Sequence, residues 1–439
     1  MFFLQSLIIF NLFNHFYNNY LYLGVQKSRK SVSMKKLRFL LLLSILTLPC
    51  IESAGQVNSV ANGDTLKEGY IFKDNLVLPV TPVKDQYRSG TCWAFSGLGF
   101  FESEMLRLGK PEVDLSEMYI VYNTYSEKAT KHVRVHGNLN FSAGGAFHDV
   151  INVIRKYGIV PEETYRGLNY GEEKHVHGEM DKVLLQQVNA VVENNNKKLS
   201  TSWHDVLEGT LNAYLGELPQ KFNYKGKEYS PLTFASQYVG LNLDNYVEIT
   251  SYTHHPFYSK FILEIPDNWS WDELYNVPLN ELEQIIDYSL DKGITIAWAA
   301  DVSEKGFSTS NKGVAVLPDL KIKELANAEI TKWEAMTEKQ KEELIYRLDK
   351  PVKEMKVSQE DRQIAFDNYQ TTDDHGMQIF GKATDQEGNV FYKIKNSWGD
   401  YNRYKGFFYA SKPYVQYKTM SIMVHRDGIP PEIRKKLKL

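Results

Sequence analysis

The sequence runs to 439 residues, 43% of them apolar, with a formal net charge of −3 and two cysteines. That is enough chain for a large core and for two or three domains, and the near-neutral charge gives no global sign of a nucleic-acid or anionic-membrane partner. The 28 Tyr and 22 Phe speak against extended disorder.

Taken in chain order, residues 1–33 form a doubtful upstream extension. Phe2 to Leu23 is apolar and aromatic but interrupted by Gln5, Asn11, Asn14, His15, Asn18 and Asn19, and translation is expected to begin at Met34. Residues 34–55 then read as a signal peptide: basic Met34-Lys-Lys-Leu-Arg38, the apolar run Phe39 to Leu48, and small residues Ser53-Ala54-Gly55. The apolar run is too short to span a bilayer. An exported protein, periplasmic or secreted, is the expectation; Thr47-Leu48-Pro49 is a poor acylation box for Cys50, which argues against a lipoprotein. Cys92 is then the thiol that the mature chain keeps.

Residues 56–168 are expected to be mainly helical. Phe95 to Leu108 has helical apolar spacing with Gly109 at the left-handed C′ position, and Asp114-Leu-Ser-Glu117 resembles a capping box opening a helix through Tyr122. Gly144-Gly145 precedes a third pattern, Ala146 to Tyr157. Residues 169–290 read as an inserted, mixed but mainly helical block, with helices at Met180 to Glu193 and Trp203 to Tyr214 and a strand at Tyr246 to Tyr252. Residues 291–439 change period. Gly293 to Asp301 is a buried strand, and Ile322 to Asp349 is a charged helical stretch with Thr337…Gln340 as an N-cap. Met377 to Thr384, Val390 to Lys395, Gly406 to Ala410 and Met420 to His425 build an antiparallel sheet, with Asp385-Gln-Glu-Gly-Asn389 as a turn. The class is α+β, helices first and sheet last.

Chemistry concentrates in three places. Cys92 lies in Asp85-Gln-Tyr-Arg-Ser-Gly-Thr-Cys-Trp-Ala-Phe-Ser96, at the start of a helical pattern. An ordinary thiol is mostly protonated at neutral pH, so the first turn of a helix and a nearby imidazolium are devices for making thiolate. Gly90 permits a tight backbone entry. Gln86 is placed to offer a side-chain N–H to a developing oxyanion, together with the Cys92 backbone N–H. His375 stands at the mouth of one C-terminal strand and Asn396 at the end of the next. A hairpin through Asn389 sets them side by side although 21 positions (396 − 375) separate them. The Asn396 amide would accept the imidazole N–H, with Trp398 covering that bond.

Gln86, Ser89-Gly-Thr-Cys-Trp93, Gly144-Gly145, His375 and Asn396-Ser-Trp-Gly399, in this order, resemble the papain-like cysteine peptidases. The resemblance implies a papain-like two-lobed fold, a helical lobe plus an antiparallel sheet lobe, with a large mainly helical insertion. It implies Gln86 as oxyanion donor, Cys92 as nucleophile, His375 as acid and base, and Asn396 as the group that orients His375. Gly144, Gly145, Trp93 and Trp398 would bind substrate. Cys92 and His375 are 283 positions apart (375 − 92), against roughly 130–150 in simpler members. The surplus falls between Tyr165 and Gly293, and Gln56 to Gln86 is too short for a long inhibitory pro-segment. Those two departures, with Asp114-Leu-Ser-Glu117, the stretch Pro278 to Asp301 and Val424 to Arg434, resemble the bleomycin hydrolase/aminopeptidase C branch. That branch implies an aminopeptidase acting on peptide substrates, a cleft closed at one end by a C-terminal arm, and a homo-oligomeric, hexameric ring. The sequence stops at Leu439, short of that arm's reach. An exported endopeptidase or oligopeptidase with an open cleft therefore stands beside the aminopeptidase, as does a catalytically silent peptide-binding relative.

The remaining motifs point away from other chemistry. His175-Val-His177 and His254-His255 lack a carboxylate at ligand spacing, so they are expected to be surface histidines and no metal is expected. Arg434-Lys-Lys-Leu-Lys438 is expected to be an exposed terminus, with nucleic acid unlike its context. No phosphate-binding glycine loop is present and no cofactor is called for.

Overall fold

The computed structural model describes residues 69–195, 198–319 and 336–439. The upstream extension, the signal segment, Cys50 and the first part of the charged stretch after Ile322 lie outside the described residues. Among the described residues no helix is long and apolar enough to cross a membrane.

The chain enters through β1 (Lys73–Val77) and reaches α1 (Cys92–Arg107), α2 (Glu117–Arg134) and α3 (Phe147–Tyr157). Helix α1 starts three residues earlier than its apolar pattern and is buried on every side, with Trp93, Leu98, Phe100, Phe101 and Met105 in the core. Gly97 makes room for α3: a Cβ there would lie 2.9 Å from Val150 Cγ2. Ser116, not Asp114, caps α2, its hydroxyl accepting the Tyr119 N–H at 3.1 Å. Helices α4 (Gly178–Val192) and α5 (Ser202–Leu215) pack together through Met180, Leu184 and Val188 against Leu207, Leu211 and Leu215, each set at the four-residue spacing of one helical face. A two-strand ribbon follows, β2 (Phe222–Tyr224) and β3 (Lys227–Tyr229). Its turn residues Lys225 and Gly226 both have positive φ, the geometry that matches hairpin twist.

The rest of the chain builds one sheet. In chain order its parts are β4 (Tyr246–Thr250), β5 (Lys260–Ile262), β6 (Glu273–Asn276), α6 (Leu279–Asp291), β7 (Ile296–Ala300), β8 (Phe307–Ser308), β9 (Val314–Ala315), α7 (Glu338–Ile345), α8 (Gln359–Asp367), β10 (His375–Thr384), β11 (Val390–Lys395), β12 (Phe407–Ser411), α9 (Lys412–Lys418), β13 (Thr419–His425) and α10 (Pro431–Leu437). The strand order is β5-β6-β4-β13-β7-β10-β11-β12-β9-β8, with β1 paired to the far half of β10. The sheet is mixed rather than purely antiparallel, because β4 with β6 and β12 with β9 run parallel. Strand β4, from the middle of the chain, is hydrogen-bonded directly to β13.

Side-chain alternation along β10 decides what each sheet face meets. Gly376 and Gln378 turn to α1, where Gln378 Nε2 donates to Ser103 Oγ at 2.8 Å. Met377 and Ile379 turn the other way into the cluster built by Ile285, Ile286 and Trp298. The basic C-terminal segment, expected to be an exposed terminus, is instead the helix α10. Its Ile433 and Leu437 are buried in that same cluster because they fall four apart on one helical face, while Lys436 reaches Glu281 at 2.5 Å.

Candidate active site

Cys92 is the first residue of α1. The loop before it is tied down by short polar contacts. Gln86 Nε2 donates to Ser89 O at 2.8 Å, Ser89 Oγ donates to Gln86 O at 2.8 Å, and Ser89 Oγ meets Thr91 Oγ1 at 2.6 Å. The other end of the Gln86 amide is fixed across the structure, because Ser397 Oγ donates to Gln86 Oε1 at 2.6 Å. The Gln86 backbone N–H also donates to Ser397 O at 2.8 Å. One Gln86 Nε2 hydrogen is thus spent on Ser89 and the second remains for another acceptor.

Strand β10 begins with His375 and crosses the first turn of α1. A Cβ on Gly376 would lie 2.6 Å from Ser96 Oγ, 3.2 Å from Trp93 Cα and 3.3 Å from Cys92 O. Only a residue without a side chain lets the strand come this close. Cys92, Trp93, Gly145, His375 and Gly376 line one cavity, floored by Ala299 of β7 and Ser421 of β13 and walled by Ile265, Asp267, Asp373 and Asp374.

The orientation of His375 follows from its neighbours. Asn396 Oδ1 accepts the Ser397 N–H at 2.8 Å, which assigns the amide oxygen, and it sits 2.7 Å from His375 Nε2. Nε2 therefore carries the proton and donates it to Asn396, and Nδ1 is the basic nitrogen. Asn396 Nδ2 donates to Tyr401 OH at 3.1 Å, and the Trp398 ring lies 4.8 Å from the His375 ring at 32°.

Burial governs the charges. It pushes the Cys92 thiol up to about 12, aided by the carboxyls of Asp373 and Asp267 and opposed by the backbone N–H groups of Gly376 and Trp93. It holds His375 down to about 4 against the raising effect of the Asn396 bond. The helix start was expected to favour thiolate, but desolvation outweighs it. Burial taken by itself thus disfavours a lone thiolate and a lone imidazolium. Passing the proton from one to the other creates both charges together, so neither has to stand alone in the buried site.

The other residues singled out in the sequence fall around this cavity in different ways. Gly145 lines it, and a Cβ there would lie 2.8 Å from Trp93 Cε2. A Cβ on Gly144 would fall inside the Asp267 carboxylate, and the Gly144 carbonyl accepts from Lys128. Trp93 Nε1 donates to Ala143 O at 3.0 Å. Gln86, Gly144, Asn396 and Trp398 are not in the lining of the cavity that holds Cys92 and His375. Sequence reasoning missed Asp267 and Asp373. Asp373-Asp374 directly before His375 was a visible signal; Asp267 is brought in by tertiary folding alone.

Two histidine expectations need correction. His175 and His177 are buried, not surface residues, because the segment carrying them bonds to Arg88 through His175 O and the His177 N–H. Neither ring nitrogen of His177 has a partner among the described residues. His254 and His255 are near the surface, but the fold supplies the carboxylate missing from their sequence neighbourhood, Glu264. A second acidic group, Glu102, Asp114 and Glu117, is already filled by the Lys84 ammonium at 2.8, 2.5 and 2.6 Å.

Comparison with known proteins gives matches of three kinds: a family, individual relatives and a solved structure. The model of the Peptidase C1-like family matches residues 51–348 and 328–439. Aminopeptidase C of Lactococcus lactis is 24% identical over 391 residues, covering 80% of this chain and 82% of that protein. Aminopeptidase G of Lactobacillus delbrueckii is 24% identical over 388 residues, covering 80% and 82%. The crystal structure of PepW from Lactobacillus rhamnosis superposes with a TM-score of 0.62 at 18% identity, covering 83% of this chain and 84% of that one, which establishes a shared fold.

Proposed function

The chain belongs to the Peptidase C1-like family and is a papain-like cysteine peptidase, and from that premise we propose that it is an aminopeptidase. It would release N-terminal residues from peptides through an acyl-enzyme on Cys92. The observation that carries the exopeptidase reading is the pair of carboxyls, Asp267 and Asp373, in the wall of the cavity that holds the thiol. Burial pushes both acids up. The Lys128 ammonium opposes the rise at Asp267 while Asp149 and Asp374 add to it, and at Asp373 the carboxyls of Asp267, Asp374 and Glu248 add to it against His148. The ammonium of a free N-terminus would relieve that repulsion, whereas a blocked N-terminus would not.

In this reading Cys92 Sγ attacks the peptide carbonyl carbon while its proton passes to His375 Nδ1. The Cys92 N–H and the second Nε2 hydrogen of Gln86 receive the oxyanion, a contribution of about 10²–10³ in rate for each donor of this kind. His375 returns the proton to the leaving amine as the C–N bond breaks. It then takes a proton from water, whose oxygen attacks the thioester and releases the acid and the thiol. Asn396 holds the ring throughout.

The finer fold reading, two lobes with residues 169–290 as an insertion, and the hexameric assembly are part of the same proposal and rest on the resemblance to aminopeptidases C. Export rests on the basic, apolar and small-residue order of Met34 to Gly55. A second reading, an endopeptidase or oligopeptidase, has one observation in its favour. The cavity that holds Cys92 and His375 is lined on one side by the backbone-like Gly145 and Gly376, which leaves room for an extended peptide beside the thiol.

The deciding experiment compares aminoacyl-aminomethylcoumarin substrates with their N-acetylated forms. Free-amine substrates should turn over at least tenfold faster, and Asp373→Asn should erase that preference. Equal cleavage of blocked substrates ends the exopeptidase reading. Cys92→Ala and His375→Ala should abolish hydrolysis with the melting temperature retained. Stoichiometric labelling of Cys92 by an epoxysuccinyl peptide separates the enzyme from a silent peptide binder.

A further inference from the structure

Loop residues His254 and His255, between β4 and β5, aim the same ring nitrogen at one carboxylate. His254 Nε2 lies 3.0 Å from Glu264 Oε2, and His255 Nε2 lies 2.9 Å from Glu264 Oε1. The three donor atoms are all within 4.8 Å of one another. In a tetrahedral zinc site, bond lengths near 2.0–2.2 Å set adjacent ligand atoms about 3.3 Å apart. The two contacts end on different oxygens of Glu264, so an ion between the rings would take one of those oxygens or both, and a modest inward swing of the imidazoles closes the set.

The rings are held in place independently of Glu264. His255 stacks on Phe261 at 4.3 Å and 22°, and His254 is nearly parallel to Phe366 at 5.6 Å and 12°. On the far side of His254 the Gln363 amide is fixed by the Thr253 N–H, which donates to Gln363 Oε1 at 2.6 Å, and Gln363 Nε2 is the atom nearer to His254 Nδ1, at 3.1 Å against 3.4 Å for Oε1. A metal on His254 Nε2 would move the ring proton to Nδ1, whose acceptor would then be the Gln363 oxygen after a small shift of the ring.

We propose that His254, His255 and Glu264 form a binding site for a zinc-class divalent ion, with a fourth position open to water. Two imidazoles and one carboxylate favour such an ion over calcium or magnesium, which take oxygen ligands. The ion would clamp the His254-His255 loop to the segment that follows β5, where Ile265 and Asp267 wall the catalytic cavity. Local sequence does not reveal the set because Glu264 lies nine positions after His255 (264 − 255) and reaches the pair only through the turn into β5.

The test is titration of the full chain carrying Cys92→Ala, so that the active-site thiol cannot compete, with Zn2+ by calorimetry and with Co2+ by visible absorption. One Zn2+ per chain, a zinc-dependent rise in melting temperature and a tetrahedral Co2+ spectrum are expected. In the same background His255→Ala and Glu264→Gln should each weaken binding about 100-fold. Both sites are at or near the surface, and melting curves without metal establish that each variant folds; His254→Ala replaces either if it does not. No binding at micromolar Zn2+, or unchanged affinity in His255→Ala and Glu264→Gln, overturns the proposal.

Discussion

Replacing Gly376 by Ala probes the join between the thiol-bearing helix and the imidazole-bearing strand. No positive φ is involved at Gly376, so the added methyl acts through space alone. It would meet Ser96 Oγ at 2.6 Å, with Trp93 Cα and Cys92 O at 3.2 and 3.3 Å behind it. Ordinary contacts are about 3.5–4.0 Å, so helix and strand must part by roughly 0.5–1 Å. Ser96 cannot simply swing aside, because its hydroxyl donates to Cys92 O at 2.7 Å. Giving up that bond costs about 1 kcal/mol, and overpacking a tight interior costs about 1–3 kcal/mol. The melting temperature should fall by a few degrees. Because a displacement near 1 Å in a catalytic constellation can cost about 100-fold, kcat/KM should fall about 10- to 100-fold. Ser96→Ala removes the nearest atom and leaves the next at 3.2 Å. The double variant should therefore recover much of both losses, with a coupling of at least about 0.5 kcal/mol in the mutant cycle. Thermal melts and coumarin-release kinetics on the four proteins measure this. Wild-type turnover in Gly376→Ala, or a double variant as impaired as the sum of the singles, would refute the reasoning.

Lys84→Met should destabilise the chain by about 3–5 kcal/mol, because it leaves the carboxyls of Glu102 and Glu117 buried without their cation; urea midpoints read this, and a loss below about 1 kcal/mol would contradict it. Acid should weaken the fold through the buried histidines. Burial holds His175 down to about 4, with Arg166 adding to the effect, and holds His177 down to about 3, with His175 adding. Both are neutral when folded, while an unfolded histidine takes up a proton below about 6.5, so stability falls as pH drops from there towards the folded values. Each contributes a loss of about 2 kcal/mol by pH 5, and His177→Leu should flatten the dependence of the urea midpoint between pH 7.5 and 5.

Helices announced themselves wherever one face carried apolar residues at helical spacing. The Ala146 to Tyr157, Met180 to Glu193 and Trp203 to Tyr214 patterns differ from the observed helices by one or two residues at their ends. Strands β10, β11, β12 and β13 were equally visible, since alternation and the Asp385–Asn389 turn are local features. Strand β1 was not, because its exposed residues carry no apolar pattern and it forms only by lying along β10. Helices α8, α9 and α10 are short and owe their stability to the surfaces they cover, which no window of sequence contains.

Within the cavity, Cys92, Trp93, Gly145 and His375 could be picked out from neighbouring residues alone. What those residues experience could not. The rise of the thiol, the depression of His375 and the approach of Asp267 depend on desolvation and on charges hundreds of positions away. Residue type and local spacing set which groups can carry a proton or attack a carbonyl. Only the packed tertiary structure decides which of them share one low-dielectric space, and with it the charge each holds at rest.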